Sequence, residues 1–250
     1  MRIFIFVLTL LLLKSSFACE RPLVLSFNGD WAPYFYKVGD ETYAGSDFLV
    51  LSRTLNTMSC PLEVLPMTPK RALLEKSKGT FDIFVGASYT EARYLDFFYT
   101  HSYRKEVVGY AYNTKKAGVN ANNLEDIVIN GGHIALNIHG YFGDEVERLK
   151  QDYPKQFVHS FSTTERMKML NEGLVSVVVD DKSALCKDAN RFIKNPELKH
   201  YKISAQELHR DDIHFIFNRS TVTQEFINTF NQALSKELKS STLTKLNSCL

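Results

Sequence analysis

A strand–helix–strand–helix–strand pattern that occurs twice, with a polar stretch between the copies and one late strand and helix after them, predicts an α/β protein of two lobes. Three observations carry this expectation. Short apolar runs at 23–27, 62–65 and 81–85 alternate with helical periodicity in the first half. Runs at 133–136, 157–161 and 175–179 do the same in the second. A strand at 213–217 and a long helix at 222–238 follow once the second unit is complete, so they are expected to return to the first lobe. Right-handed crossovers make each sheet mostly parallel, flanked by helices, and the chain crosses between the lobes twice.

Residues 1–18 read as an export leader. Arg2 gives a basic start, residues 3–13 form an unbroken apolar core, and Ser16-Phe17-Ala18 supplies a small-x-small signal for cleavage before Cys19. That core is too short to span a bilayer, and no later stretch approaches the ~20 apolar residues a membrane helix needs. The mature chain is therefore expected in the periplasm. An acylated Cys19 is the competing reading, and it fits less well because Ser16 and Phe17 stand where Leu and a small residue belong. Loss of the leader removes Arg2 and Lys14 and no acid, bringing the 30 basic side chains level with the 28 acidic ones. Neither the balanced charge nor any basic stripe points to nucleic acid.

The first strand, 23–27, runs into an aromatic-rich loop at 28–44 holding Trp31, Pro33, Tyr34, Phe35 and Tyr36. Gly45-Ser46-Asp47 then opens a helix for which Asp47 suits the N-cap, with Phe48, Leu51, Leu55 and Met58 on one face. After the second strand, Pro66 and Pro69 break the chain before a short helix at 70–78, which Gly79 ends. An extended segment at 106–112 and a polar linker at 113–123 lead to the second unit, with helices at 143–149 and 164–170 and an acidic pair, Asp180-Asp181, closing its last strand. Four cysteines in an exported chain suggest disulfides. Cys19 precedes the first strand and Cys60 the second, so neighbouring parallel strands bring them together, which leaves Cys186 with Cys249.

Chemistry concentrates in residues 81–93, FDIFVGASYTEAR. The buried strand stops at Gly86, small and hydroxyl residues follow, and Thr90 can cap a short helix carrying Glu91, Ala92 and Arg93 in its first turn. A guanidinium at the positive end of a helix dipole is disfavoured by up to ~1 kcal/mol, and a bound anion repairs the mismatch. Hydroxyl, backbone N–H and guanidinium donors beyond the carboxyl end of a strand suit a carboxylate. A solvated Arg93 paired with Glu91 is the other reading. The seven histidines form no HxxxH or HxH pair, and no nucleophile motif or phosphate loop is present, so neither a metal nor a cofactor is expected.

Several residues in order resemble one family. Trp31-x-Pro33-Tyr34, Gly45-x-Asp47, Arg71, Asp82, Thr90-Glu91-x-Arg93 and Asp181 at this spacing are similar to the type II periplasmic solute-binding proteins of the amino-acid-binding family, bacterial extracellular solute-binding protein family 3. The resemblance implies the two-lobed periplasmic binding protein type II fold, with lobe one at 19–104 and 210–250, lobe two at 105–209, and the hinge near 103–107 and 208–213. It implies that Arg93 grips a ligand α-carboxylate with Ser88 and the backbone near Gly86, that Asp181 takes the α-ammonium, that Trp31 walls the pocket, and that the Gly140-Tyr141 turn meets the ligand at a helix start. Asn28 and Ser176 stand where relatives often have Asp, and the doubled acid leaves open whether Asp180 or Asp181 faces the cleft.

The expected function is capture of an amino acid or related carboxylated ligand by hinge closure, for an ABC importer, by a monomeric binding protein that is not an enzyme. Two alternatives stay open. One is a dehydratase- or lyase-like enzyme on the same fold, using Asp180, Asp181 or His139; the other is a ligand-sensing module for a membrane receptor.

Overall fold

A computed structural model describes residues 19–75, 78–115, 123–137, 140–160, 162–193 and 201–240. The expected leader, His139 and Cys249 lie outside them. The first half forms β1 (Leu23–Phe27), a hairpin of β2 (Tyr36–Gly39) and β3 (Thr42–Ala44), α1 (Ser46–Thr57), β4 (Leu62–Pro66), α2 (Pro69–Glu75), β5 (Ile83–Ala87), α3 (Glu91–Tyr94), β6 (Phe97–Tyr99) and the long β7 (Arg104–Asn113). The second half forms α4 (Leu124–Ile129), β8 (Ile134–Leu136), α5 (Asp144–Asp152), β9 (Phe157–His159), α6 (Thr163–Asn171), β10 (Val177–Asp181), α7 (Lys182–Ile193) and β11 (Tyr201–Ile203). The long β12 (His209–Asn218) and α8 (Gln224–Ser240) complete it.

The main sheet runs β4-β1-β5-β12-β7-β10-β8-β9. At one end β1 pairs in parallel with β4 and β5; at the other, β8 pairs in parallel with β10 and β9. Between these parallel triplets lie β12 and β7, antiparallel to each other with Arg210 opposite Val107 and Ile213 opposite Arg104. Each is also antiparallel to the triplet it borders. The late strand therefore returns to the first unit, as the order of elements predicts.

Hydrophobic burial divides the same way. Leu25, Leu51, Leu55, Phe215, Phe217, Phe230 and Leu234 form one core, in which α1 and α8 pack together. Tyr110, Leu124, Ile134, Val146, Leu149 and Val177 form another around β8 and β10. With each apolar side chain worth ~1.5–3 kcal/mol when removed from water, both units carry a core of their own. Cys19 and Cys60 are bonded, tying the chain before β1 to the turn before β4 across 41 positions. Cys186 is disulfide-bonded as well.

Three local expectations change. The aromatic loop contains the β2–β3 hairpin, which turns at Glu41 with φ 54°. The linker is followed by α4, capped by the Asn123 side chain accepting from the Glu125 N–H. Gly45, at φ 124°, caps α1 with no side-chain bond, because Asp47 is wholly buried and turned inward. A Cβ at Gly45 would sit 2.1 Å from the Tyr34 carbonyl, so the close approach of this turn requires glycine.

Candidate functional site

A cavity of about 370 Å³ opens between the two halves. Asn28, Trp31, Gly86, Ser88 and Arg93 line it from the first, and Gly140, Tyr141 and Asp180 from the second. Glu106, on the crossing strand β7, lines it too. Among the described residues, no group of His, Cys, Asp and Glu side chains is arranged to hold a metal ion.

The Arg93 end is built by short-range geometry. Strand β5 ends at Ala87, and Thr90 caps α3, its hydroxyl accepting from the Arg93 N–H at 3.2 Å. That turns the half-buried Arg93 side chain back along the loop, where Nη1 donates to the Ser88 carbonyl at 2.8 Å. Gly86 holds φ 74°, and a Cβ there would fall 2.2 Å from the Trp31 ring, so the indole lies directly on the glycine. The Gly86 N–H donates to the Tyr103 hydroxyl at 3.1 Å. Trp31 packs against Tyr34 with ring centroids 4.7 Å apart and forms one wall.

The second half contributes the start of α5. Gly140 closes a turn through its N–H to the Asn137 carbonyl at 3.2 Å, and Tyr141 donates its hydroxyl to Asp144 at 2.6 Å. That bond, then burial, pushes the Tyr141 hydroxyl up to about 12, so it stays protonated.

The acidic pair divides between two environments. Asp180 lines the cavity, where its Oδ2 is held by the buried Arg166 guanidinium and accepts from the Thr163 hydroxyl at 2.7 Å. Its Oδ1 accepts from the Asp181 N–H at 2.8 Å. Asp181 is 2% exposed and lies outside the cavity lining. Its carboxylate accepts from the Tyr34 hydroxyl at 2.6 Å, the Ala184 N–H at 3.0 Å and the Val107 N–H at 3.4 Å. Alternation along β10 explains the division, since neighbouring side chains leave a strand on opposite faces. Asp181 thus bonds the first turn of α7 and, through Tyr34, links the two halves beside the hinge strands.

Sequence reasoning missed a buried polar group behind the cavity. Asp47, Tyr103, Arg104 and Glu106 meet where β7 leaves the first half. Arg104 Nε donates to Asp47 at 3.0 Å, and Tyr103 donates its hydroxyl to Asp47. The Arg104 guanidinium lies 3.7 Å from the Tyr34 ring centroid and 5.0 Å from that of Trp31. Burial, reinforced by neighbouring carboxylates, raises the Tyr34 and Tyr103 hydroxyls, keeping both as donors. The one sequence signal was polar residues opening an otherwise apolar strand, RKEVVGYAY.

Comparison with known proteins fits this architecture. Residues 23–248 match the sequence profile of the bacterial extracellular solute-binding proteins, family 3. No curated protein matches the chain in sequence. Among solved structures, the fold is similar to a histidine kinase sensor domain that itself resembles periplasmic binding proteins, with a TM-score of 0.74 and 17% identity, covering 89% of this chain and 92% of that one. It is similar to an ancestral arginine-binding protein bound to glutamine, with a TM-score of 0.74 and 16% identity over 90% and 95% of the two chains. A periplasmic binding protein of Salmonella typhimurium with high arginine specificity gives a TM-score of 0.71 and 17% identity over 89% and 96%. Among the described residues, no helix is long and apolar enough to cross a membrane. Matched from its first strand through both halves, this chain belongs to the bacterial extracellular solute-binding proteins, family 3.

Proposed function

We propose that this protein captures a small polar ligand carrying a carboxylate, an amino acid or close relative, in the periplasm and delivers it to an ABC importer. The observation that carries the reading is Arg93, half-buried in the cavity wall beyond the carboxyl end of β5, with Ser88 beside it. A guanidinium fork matches a carboxylate bidentately, and charge-assisted bonds contribute roughly 1.5–3 kcal/mol each. In this reading Arg93 and Ser88 receive the ligand on lobe one, residues 19–104 and 210–250, against the Trp31 wall and beside Asn28 and Gly86. Lobe two, residues 105–209, then closes over it through β7 and β12, bringing Gly140, Tyr141 and Asp180 into place, while Asp181, expected from the sequence to take an ammonium, stays behind the cavity wall on Tyr34. Contacts made only in the closed form shift the population toward it.

A thermal-shift screen against amino acids, dicarboxylates and amines, followed by calorimetry, tests this. A ligand that binds only the folded state raises the melting temperature in proportion to the logarithm of its concentration over Kd. Arg93→Ala should abolish the shift while leaving the unliganded melting temperature nearly unchanged. No shift with any carboxylated compound, or a large loss of unliganded stability in Arg93→Ala, overturns the reading. A second reading, a sensing module presenting its closed form to a membrane receptor, is favoured by the likeness to a histidine kinase sensor domain. Pull-down of the liganded protein with an importer or with a sensor receptor separates the two.

A further inference from the structure

Among the described residues, one carboxyl group lining the cavity has no hydrogen-bond or ion-pair partner. Glu106 lines the cavity and is 8% exposed. Among the described residues, its side chain makes no hydrogen bond and no ion pair within contact distance. The other carboxyls nearby are occupied. Asp47 holds Arg104 and Tyr103, Asp180 holds Arg166 and Thr163, and Asp181 holds Tyr34 and two backbone N–H groups.

The charges facing Glu106 do not balance it. From its own strand comes Arg104, which lies on the same face two residues away and is bonded through Nε to Asp47 of α1. From β10 come Asp180 and Asp181, and of these Asp180 has its own cation in Arg166. From β12, Asp211 stands opposite Glu106 in the strand register, with His209 3.7 Å from it. Burial first, then the three aspartates Asp181, Asp180 and Asp47, push the Glu106 carboxyl up to about 8, against the pull of Arg104. Near neutral pH the Glu106 carboxyl therefore carries a proton.

We propose that Glu106 is the cation-recognising residue of the cleft, receiving a ligand ammonium or guanidinium as a carboxylate while Arg93 receives the ligand's carboxylate. The inference rests on the carboxylate-binding reading of Arg93 and adds a specificity determinant to it. A ligand with both charges replaces the proton on Glu106 by its own cation and releases that proton to solvent. A ligand with a carboxylate alone leaves Glu106 protonated and gains nothing from it. The cavity then prefers doubly charged amino acids to simple carboxylates, and binding tightens as pH rises from 6 toward 8.

The experiment titrates the full-length mature protein and its Glu106→Gln variant with L-arginine, L-glutamine and glutaramate, the last being L-glutamine without its ammonium. The wild type should bind at least one of the two amino acids ten-fold or more tighter than glutaramate, and Glu106→Gln should erase that preference while still binding glutaramate. Wild-type calorimetry at pH 7 in buffers of different ionisation enthalpy should show close to one proton released per amino acid bound. This second measurement holds even where the variant does not fold. An unchanged preference in Glu106→Gln, or no proton release from the wild type, overturns the assignment. Glutaramate binding as tightly as the amino acids, with Arg93→Ala still abolishing it, overturns Glu106 alone. Binding of none of the three probes counts against the Arg93 reading and this one together.

Discussion

The two ends of the cavity are made in different ways. The Arg93 end is local: Thr90 to Arg93 and Arg93 to Ser88 are contacts spanning three and five positions. The hinge end is assembled from afar, with Arg104 and Tyr103 reaching Asp47 across 57 and 56 positions and Tyr34 reaching Asp181 across 147. Local contacts survive in a short exposed helix and cost little to lose, whereas the Asp47 contacts exist only when the whole first half is folded and the Tyr34–Asp181 bond only when both halves are folded and joined. The hinge end should therefore govern stability and the Arg93 end should govern binding.

The sharpest way to break that comparison is Arg166→Met. It removes the guanidinium that, among the described residues, is bonded to Asp180, leaving a buried carboxylate uncompensated, which typically costs ~3–5 kcal/mol. Urea unfolding should show a loss of this size. The pair spans 14 positions within the second half, so a change below ~1 kcal/mol would mean that the Asp180 side of the cavity is as loosely tied to the fold as the Arg93 end.

Tyr34→Phe comes next. The lost bond is accepted by a carboxylate, so ~1.5–3 kcal/mol is expected, with Asp181 keeping its Ala184 and Val107 partners. Because Tyr34 and Asp181 belong to different halves, the variant should also open more readily. Small-angle scattering of the unliganded protein should report a larger radius of gyration, and an unchanged radius would assign the bond a purely structural role.

The local geometry of the Arg93 turn was legible in the sequence because its strand, cap and guanidinium lie within residues 81–93, while Trp31 and Tyr103, which reach Gly86 from elsewhere in the chain, had no signal there. The strand, its glycine stop, the Thr90 cap and the guanidinium are all short-range signals, and the cap forms as the spacing predicts. The alternation of strands and helices was legible for the same reason. Asp47 was not. A Ser-Asp pair opening a helix reads as a cap, yet this carboxylate serves Tyr103 and Arg104, whose position depends on the whole of the first half being folded. Glu106 had no local signature beyond a charge at the start of a strand. The β2–β3 hairpin and α4 left weak signals, a Gly-Asp-Glu turn and an Asn cap, that a run of aromatics and a polar stretch obscured.

The pH dependence of the unliganded protein sharpens the comparison further. Glu106 and Asp181 both have carboxyls raised by burial, Glu106 to about 8 from 4.5. A carboxyl raised in the folded state stabilises most below its unfolded value, and that contribution fades as pH climbs through the folded one. Unliganded stability should fall between about pH 4.5 and 8, and Glu106→Gln should flatten the fall, becoming more stable than wild type at pH 8. A melting temperature that rises over this range would show that Glu106 is ionised in the empty site.

The smallest expected effect on stability belongs to Thr90→Ala. Losing an N-cap costs ~0.5–2 kcal/mol where a helix is integral to the fold. Here the helix has four residues, none of them buried, so global stability should move by the lower end of that range or less. What the cap does is fix the Arg93 backbone by its N–H, from which the guanidinium reaches the Ser88 carbonyl. Releasing it lets Arg93 sample rotamers that do not face the cavity, and the ordering cost then falls on ligand binding. Calorimetry should show weaker binding of a carboxylated ligand by several-fold, with urea unfolding almost unchanged. The opposite outcome, a large stability loss with binding intact, would make the Arg93 end as global as the hinge and remove the distinction between them.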